Sequence, residues 1–309
     1  MNAKRAGWAY LWMTVVFITF SILVSFMLRD PGIGMLAFLS ELSLLLPALI
    51  LLSKGRVQLS RQLHLKGIRI STALMTLVYH LCCYPLIIAM NSFTMAISDN
   101  ASMDITEQFG DVSFAAMFFF VGLLGPLVEE LVFRGILLGG LRTTGRIFSA
   151  ILLSALLFAL AHMNINQFSY TICAGVFWGL LVEASGSLIP SIICHICMNG
   201  VSVMAVYLFD KTGELDSMVD SGGFDSPLGY IFTGFIFLFI SIFTTALAML
   251  MLKVISINEG RTGCFENIFR RKLKSERFGS LMSAPMITGI CISAVITVIA
   301  FIIEFIGRF

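Results

Sequence analysis

Charge is scarce in this chain. Only 12% of its 309 residues are Asp, Glu, Lys or Arg, where a soluble domain carries about a quarter. That shortage excludes a water-soluble globular enzyme and a disordered chain, and a net charge of +2 is too small to imply nucleic acid or another polyanion as partner. Paired cysteine spacing is missing too. Of the seven cysteines, Cys82, Cys83, Cys173, Cys194, Cys197 and Cys291 sit inside apolar runs and Cys264 in a basic loop. No CxxC is followed by a second CxxC, as a zinc site would have it, so they read as small packing residues rather than disulfides. Strand-like alternation is absent, which excludes a β-barrel. What is abundant is apolar sequence, at 58% with a mean hydropathy of +0.95, in continuous runs of the length a bilayer-spanning helix needs. The fold class expected is an all-α polytopic membrane helix bundle.

Nine segments qualify or nearly do: about 8–28, 33–53, 70–92, 114–141, 147–163, 168–184, 187–209, 228–252 and 281–306, with eight spans as the alternative count. The first lacks the short run and small-residue cleavage site of a signal peptide. Loop charge sets the orientation. Lys4 and Arg5, loop 54–69, Arg142 with Arg146, and loop 253–280 hold sixteen of the twenty basic residues, all on one side if there are nine spans. The opposite loops carry Asp99, Asp104, Glu107 and Asp111, then Asp210, Glu214, Asp216, Asp220 and Asp225. The N-terminus is therefore expected inside. Loop 54–69 interleaves basic and apolar residues and suits the headgroup layer. With no long linker or internal repeat, residues 1–309 read as a single membrane domain.

Ionisable side chains cost about 2.5–3.5 kcal/mol each at a spanning-helix centre, so those inside the spans need a reason. Span four holds Glu129, Glu130 and Arg134 in GPLVEELVFRG; span five holds His162 in FALAH; span seven holds His195 and Asn199 in HICMN. Glu130 and Arg134, four apart on a helix, can pair. Glu129 is turned about 100° away and is free for another task. At about 1.5 Å per residue, Glu129, His162 and His195 converge near mid-membrane. Glu41 and His80 are lone polar residues elsewhere. Glu41 is expected to satisfy a neighbour or line a polar cavity, His80 to be structural and His64 to be solvated at the interface. Pro126, just before the glutamates, either kinks span four and opens a water path or is simply tolerated.

A buried carboxylate beside a histidine can polarise water, and a second histidine with an asparagine can hold the oxyanion of a tetrahedral intermediate. No serine or cysteine pairs with these histidines, so hydrolysis by activated water is the natural reaction. Glu129, His162 and His195 are equally a donor set that zinc accepts, and the spacing does not choose. The bland alternatives are a structural ion-pair network for Glu129, Glu130 and Arg134, a carbonyl-bonded core histidine for His162, and interhelical hydrogen bonding for His195 and Asn199.

EExxxR on one span, FxxxH on the next and HxxxN two spans later resemble the type II CAAX prenyl endopeptidase and bacteriocin-processing family, also called the ABI family. The flanks FRG at 133–135 and GSLIPSIICH at 186–195 add to the likeness, which covers about 114–205. The resemblance implies a glutamate-dependent intramembrane endopeptidase whose catalytic core opens toward the cytoplasm. Glu129 and His162 would activate water, His195 and Asn199 would stabilise the oxyanion, and Glu130 and Arg134 would support them. Members are often labelled metalloproteases, which makes a divalent metal such as zinc a candidate cofactor. The implied partners are the bilayer and a membrane-associated peptide or protein: a prenylated C-terminus, a pheromone or bacteriocin precursor, or another membrane protein. The implied location is the plasma membrane of a bacterium. HExxH and GxGD, marks of other intramembrane proteases, are absent. A rival from a different class is a non-catalytic membrane regulator or immunity protein acting on a sensor kinase or peptide system. A transporter is a third reading, weakened by the missing inverted repeat.

Overall fold

The computed structural model describes residues 1–27, 33–53, 63–98, 113–212, 226–270 and 279–307. The acidic loop residues 99–111 and 214–225, residues 54–62 of loop 54–69 and the basic run 271–277 lie outside the described residues. Helices account for the described chain, with no strand among the described residues. They are α1 (Ala3–Met27), α2 (Ile33–Ser53), α3 (Ile70–Met95), α4 (Phe114–Thr144), α5 (Ile147–Ala161), α6 (Ile165–Ser185), α7 (Ile189–Thr212), α8 (Pro227–Asn258), the short α9 (Cys264–Phe269) and α10 (Ala284–Gly307). Eight are long and apolar enough to cross a bilayer. The protein is an integral, multi-pass membrane protein.

The ninth expected span, α5, is the exception, and its shortness matters. Its 15 residues reach about 22 Å, less than the roughly 30 Å hydrocarbon core, so by length alone α5 falls short of a full crossing. The turn after it is tight: Met163 adopts a left-handed φ of 50°, and the Asn164 side chain accepts a hydrogen bond from Gln167 N–H to start α6. His162 stands at this turn. Polar groups there are satisfied from α3, where Asn91 Oδ1 accepts from Asn166 Nδ2 at 3.0 Å and Thr94 Oγ1 lies 3.0 Å from Ser169 Oγ.

α6 is the central rod. Of its spanning window 61% is buried, against 17% for α8 and 22% for α10. The outward faces of the latter two are apolar, with Phe235, Phe239, Phe243, Val298, Ile302 and Ile306 exposed as a lipid-facing surface requires. Small residues bring α5 and α6 together. A Cβ on Gly175 would lie 2.9 Å from Ala155 Cβ, and one on Gly179 would lie 2.8 Å from Ile151 Cγ2; this is the small-xxx-small approach of membrane helices.

The described basic segments gather at one end of the bundle. Lys66 pairs with Glu259 at 3.6 Å and Arg142 with Glu183 at 3.0 Å. Leu188 N–H donates to the His64 carbonyl, and Arg146 to that of Gly279. His64 is not the solvated residue expected, because its ring packs directly against the Arg142 guanidinium. All seven cysteines are free.

Candidate active site

α4 is irregular where the chemistry-bearing residues stand. Two π-helical stretches, Phe118–Leu124 and Leu131–Leu137, flank one α-helical segment, Gly125–Glu130; π-turns inside helices often mark functional sites. Pro126 explains the first. A proline ring clashes with the carbonyl four residues back and has no N–H to give. Gly125 N–H bonds the Phe120 carbonyl instead, so Val121 O is left with neither an α nor a π donor. Asn199 Nδ2 on α7 supplies it, at 3.1 Å. Pro126 thus widens the helix and creates the carbonyl that ties α4 to α7.

Glu129 and Glu130 diverge as their positions require. Glu130 is fully buried and accepts from Arg134 Nη1 at 2.7 Å. Arg134, itself 1% exposed, lies with its guanidinium carbon 4.1 Å from the Phe158 ring centre and 5.1 Å from that of Trp178. A buried cation is thereby covered by one carboxylate and two aromatic faces. Glu129 turns to the other side, with Oε1 3.9 Å from His162 Nε2 and Oε2 3.4 Å from His195 Nε2.

Each histidine is fixed by its other nitrogen. His162 Nδ1 stands 2.9 Å from the Phe158 carbonyl, which only accepts, so Nδ1 carries the proton and Nε2 presents a lone pair. His195 Nδ1 stands 3.1 Å from Glu130 Oε1, and the ring stacks on Trp178 at 4.3 Å. Phe158 is the hub: its edge-on contacts reach His162 at 4.8 Å and His195 at 5.7 Å. That is a physical reason for a phenylalanine four residues before His162.

A cavity of about 320 Å³ opens above this cluster. It is lined by Glu129, Phe158, His162, His195 and Asn199, and continues past Tyr84 and Tyr170. On every contributing helix it runs away from the basic end: from Glu41 to Ala37 on α2, Tyr84 to Asn91 on α3, Glu129 to Phe120 on α4, Thr171 to Gln167 on α6 and His195 to Ser202 on α7. With the basic end inside, as loop charge predicts, the mouth faces outward. The cytoplasmic opening implied by the resemblance is the reverse, so this geometry sets the two sequence expectations against each other.

Residues 111–201 match the family model described as type II CAAX prenyl endopeptidase Rce1-like. The match covers less than a third of the chain, and over that stretch the chain is similar to the family. The chain is also similar to the membrane-embedded CAAX protease MroQ of Staphylococcus aureus (strain USA300), 36% identical over 92 residues, which is 28% of this chain and 37% of that relative. The alignment thus spans little more than a third of the relative's length. No solved structure matches the chain. The side chains of Glu129, Glu130, Arg134, His162, His195 and Asn199 all lie within the matched residues 111–201, and the fold brings them to one place.

Sequence reasoning passed over three contributors. Trp178 packs on both His195 and Arg134, yet its only local signal is its position in the Gly175–Gly179 stripe. Tyr84 and Tyr170 line the cavity but look like ordinary span aromatics. Glu41 lines the cavity, the second of its two expected roles; its Oε2 is inaccessible and has no hydrogen-bond partner among the described residues. His80 is buried edge-on to Tyr84 at 5.1 Å. As for a metal, Glu129, His162 and His195 have suitable donor atoms, but no group of three or more His, Cys, Asp or Glu among the described residues is arranged to hold an ion.

Proposed function

We propose that this protein is a CAAX-protease-like intramembrane endopeptidase that hydrolyses a peptide bond with a water activated by Glu129 and His162. The observation that carries this reading is the meeting of the Glu129 carboxylate with two histidine Nε2 atoms, at 3.9 and 3.4 Å, on the floor of a cavity. The longer gap exceeds a direct hydrogen bond and suits one water bonded to both Glu129 Oε1 and His162 Nε2. Both groups accept, so the water's protons point at them and its oxygen is free to attack a carbonyl carbon. Glu129 takes the proton as the C–O bond forms, then returns it to the departing amine as the C–N bond breaks.

Asn199 donates one amide hydrogen to Val121 O; its second faces the task of stabilising the oxyanion. His195, whose Nδ1 proton serves Glu130, donates from Nε2 only when doubly protonated. In its neutral form it is a positioning residue that spans the two glutamates, held by Trp178. Glu130 and Arg134 fix that ring. The test is mass spectrometry of peptides from membranes carrying the wild-type protein or Glu129→Gln. Fragments that depend on Glu129 support the reading. Identical peptide sets at equal protein levels favour the non-catalytic regulator.

A further inference from the structure

Glu41 stands outside the family segment, on α2, and the hydrolytic scheme gives it no part. Its carboxylate is nevertheless on the wall of the same cavity as Glu129. Glu41 Oε1 lies 3.4 Å from where a Cβ on Gly125 would stand, one turn before Glu129 on the same face of α4. A substrate moving along the cavity toward Glu129 passes Glu41 first. Among the described lining residues there is no Lys or Arg, so the ionisable groups on the cavity wall are two carboxyl groups and two histidines. Tyr84, Phe120 and Tyr170 are among the aromatic residues that line the same cavity. An unpaired carboxylate at this depth is costly, and the cost is offset when a cation enters. Acidic oxygens beside aromatic rings are the surroundings that an ammonium or guanidinium group prefers over an apolar side chain.

We infer that Glu41 is a specificity residue that binds a basic side chain of the peptide substrate, next to the bond presented to Glu129. This rests on the protease reading for its biological meaning, but its test does not require turnover. The Glu129→Gln protein in detergent micelles removes both hydrolysis and the competing carboxylate. Two otherwise identical apolar peptides, one with a single Lys and one with norleucine in its place, are titrated by calorimetry. The Lys peptide is expected to bind about tenfold more tightly, the worth of one charge-assisted hydrogen bond. That preference should vanish in Glu129→Gln/Glu41→Gln and return in Glu129→Gln/Glu41→Asp, with melting temperatures confirming that each variant is folded. An equal preference without Glu41, no preference with it, or binding of neither peptide overturns the inference. Loss of cleavage in the wild type, read separately, would instead count against the protease reading.

Discussion

His195 and Glu130 form the joint of the site: Nδ1 of the imidazole lies 3.1 Å from Oε1 of a carboxylate that also holds Arg134 at 2.7 Å. Glu130 therefore orients the ring whose far nitrogen faces Glu129, and the two adjacent glutamates act on opposite edges of one histidine.

Arg134 should be intolerant of replacement. Its guanidinium is buried against Phe158 and Trp178, and removing it leaves Glu130 as an uncompensated buried charge, a loss of about 3–5 kcal/mol. Arg134→Ala is expected to lower the melting temperature in detergent sharply, and Arg134→Lys to rescue little, because an ammonium cannot lie flat on both rings. A Lys variant as stable as the wild type would count against the aromatic covering.

Asn199 and Pro126 should be coupled. Asn199→Ala strips Val121 O of its donor and should cost about 1–3 kcal/mol. In a Pro126→Ala background residue 126 regains an N–H, and the same change should cost less. A double-mutant cycle on thermal unfolding measures this; strict additivity would show that the proline does not create the need for Asn199.

The mouth of the cavity should be reachable from the side opposite the basic loops. Ser202→Cys is expected to react with a membrane-impermeant maleimide added outside intact cells, and Lys66→Cys only after permeabilisation. Reversed labelling would restore a cytoplasmic opening and overturn the orientation read from loop charge.

Glu259, just past the end of α8, supplies a pH-dependent clasp. Burial alone would raise its pKa, but the Thr72 hydroxyl, the Arg69 N–H and the charges of Lys66 and Arg69 outweigh burial and hold it below the ordinary carboxylate value. A depressed folded-state pKa contributes stability above the unfolded value, about 4.3 for glutamate, and loses it as pH falls through the folded value. Wild type should therefore melt higher than Glu259→Gln at neutral pH, with the gap closing below about pH 4. A gap that persists in acid would refute the linkage.

Much of the site was legible in the sequence because charge in an apolar run is conspicuous. The four-residue spacing of Glu130 and Arg134 predicts their pairing, and the offset of Glu129 predicts that it faces elsewhere. The first π-turn was not legible, since it follows from Pro126 acting on a carbonyl, that of Val121, whose substitute donor sits on a distant helix. Nor was the role of Trp178, which depends on a helix approach set by Gly175 and Gly179. α5 scores as a span by composition but is cut short by the turn at Met163. Glu41 was visible as an isolated acid; its place beside Gly125 comes only from tertiary packing.

The most direct test is turnover by purified protein in lipid nanodiscs, using a membrane-derived peptide pool and comparing wild type with Glu129→Gln and His162→Ala. The account predicts new peptide termini with wild type and none above background with either variant, although both remain folded and embedded. Undiminished cleavage by a folded Glu129→Gln protein would contradict it.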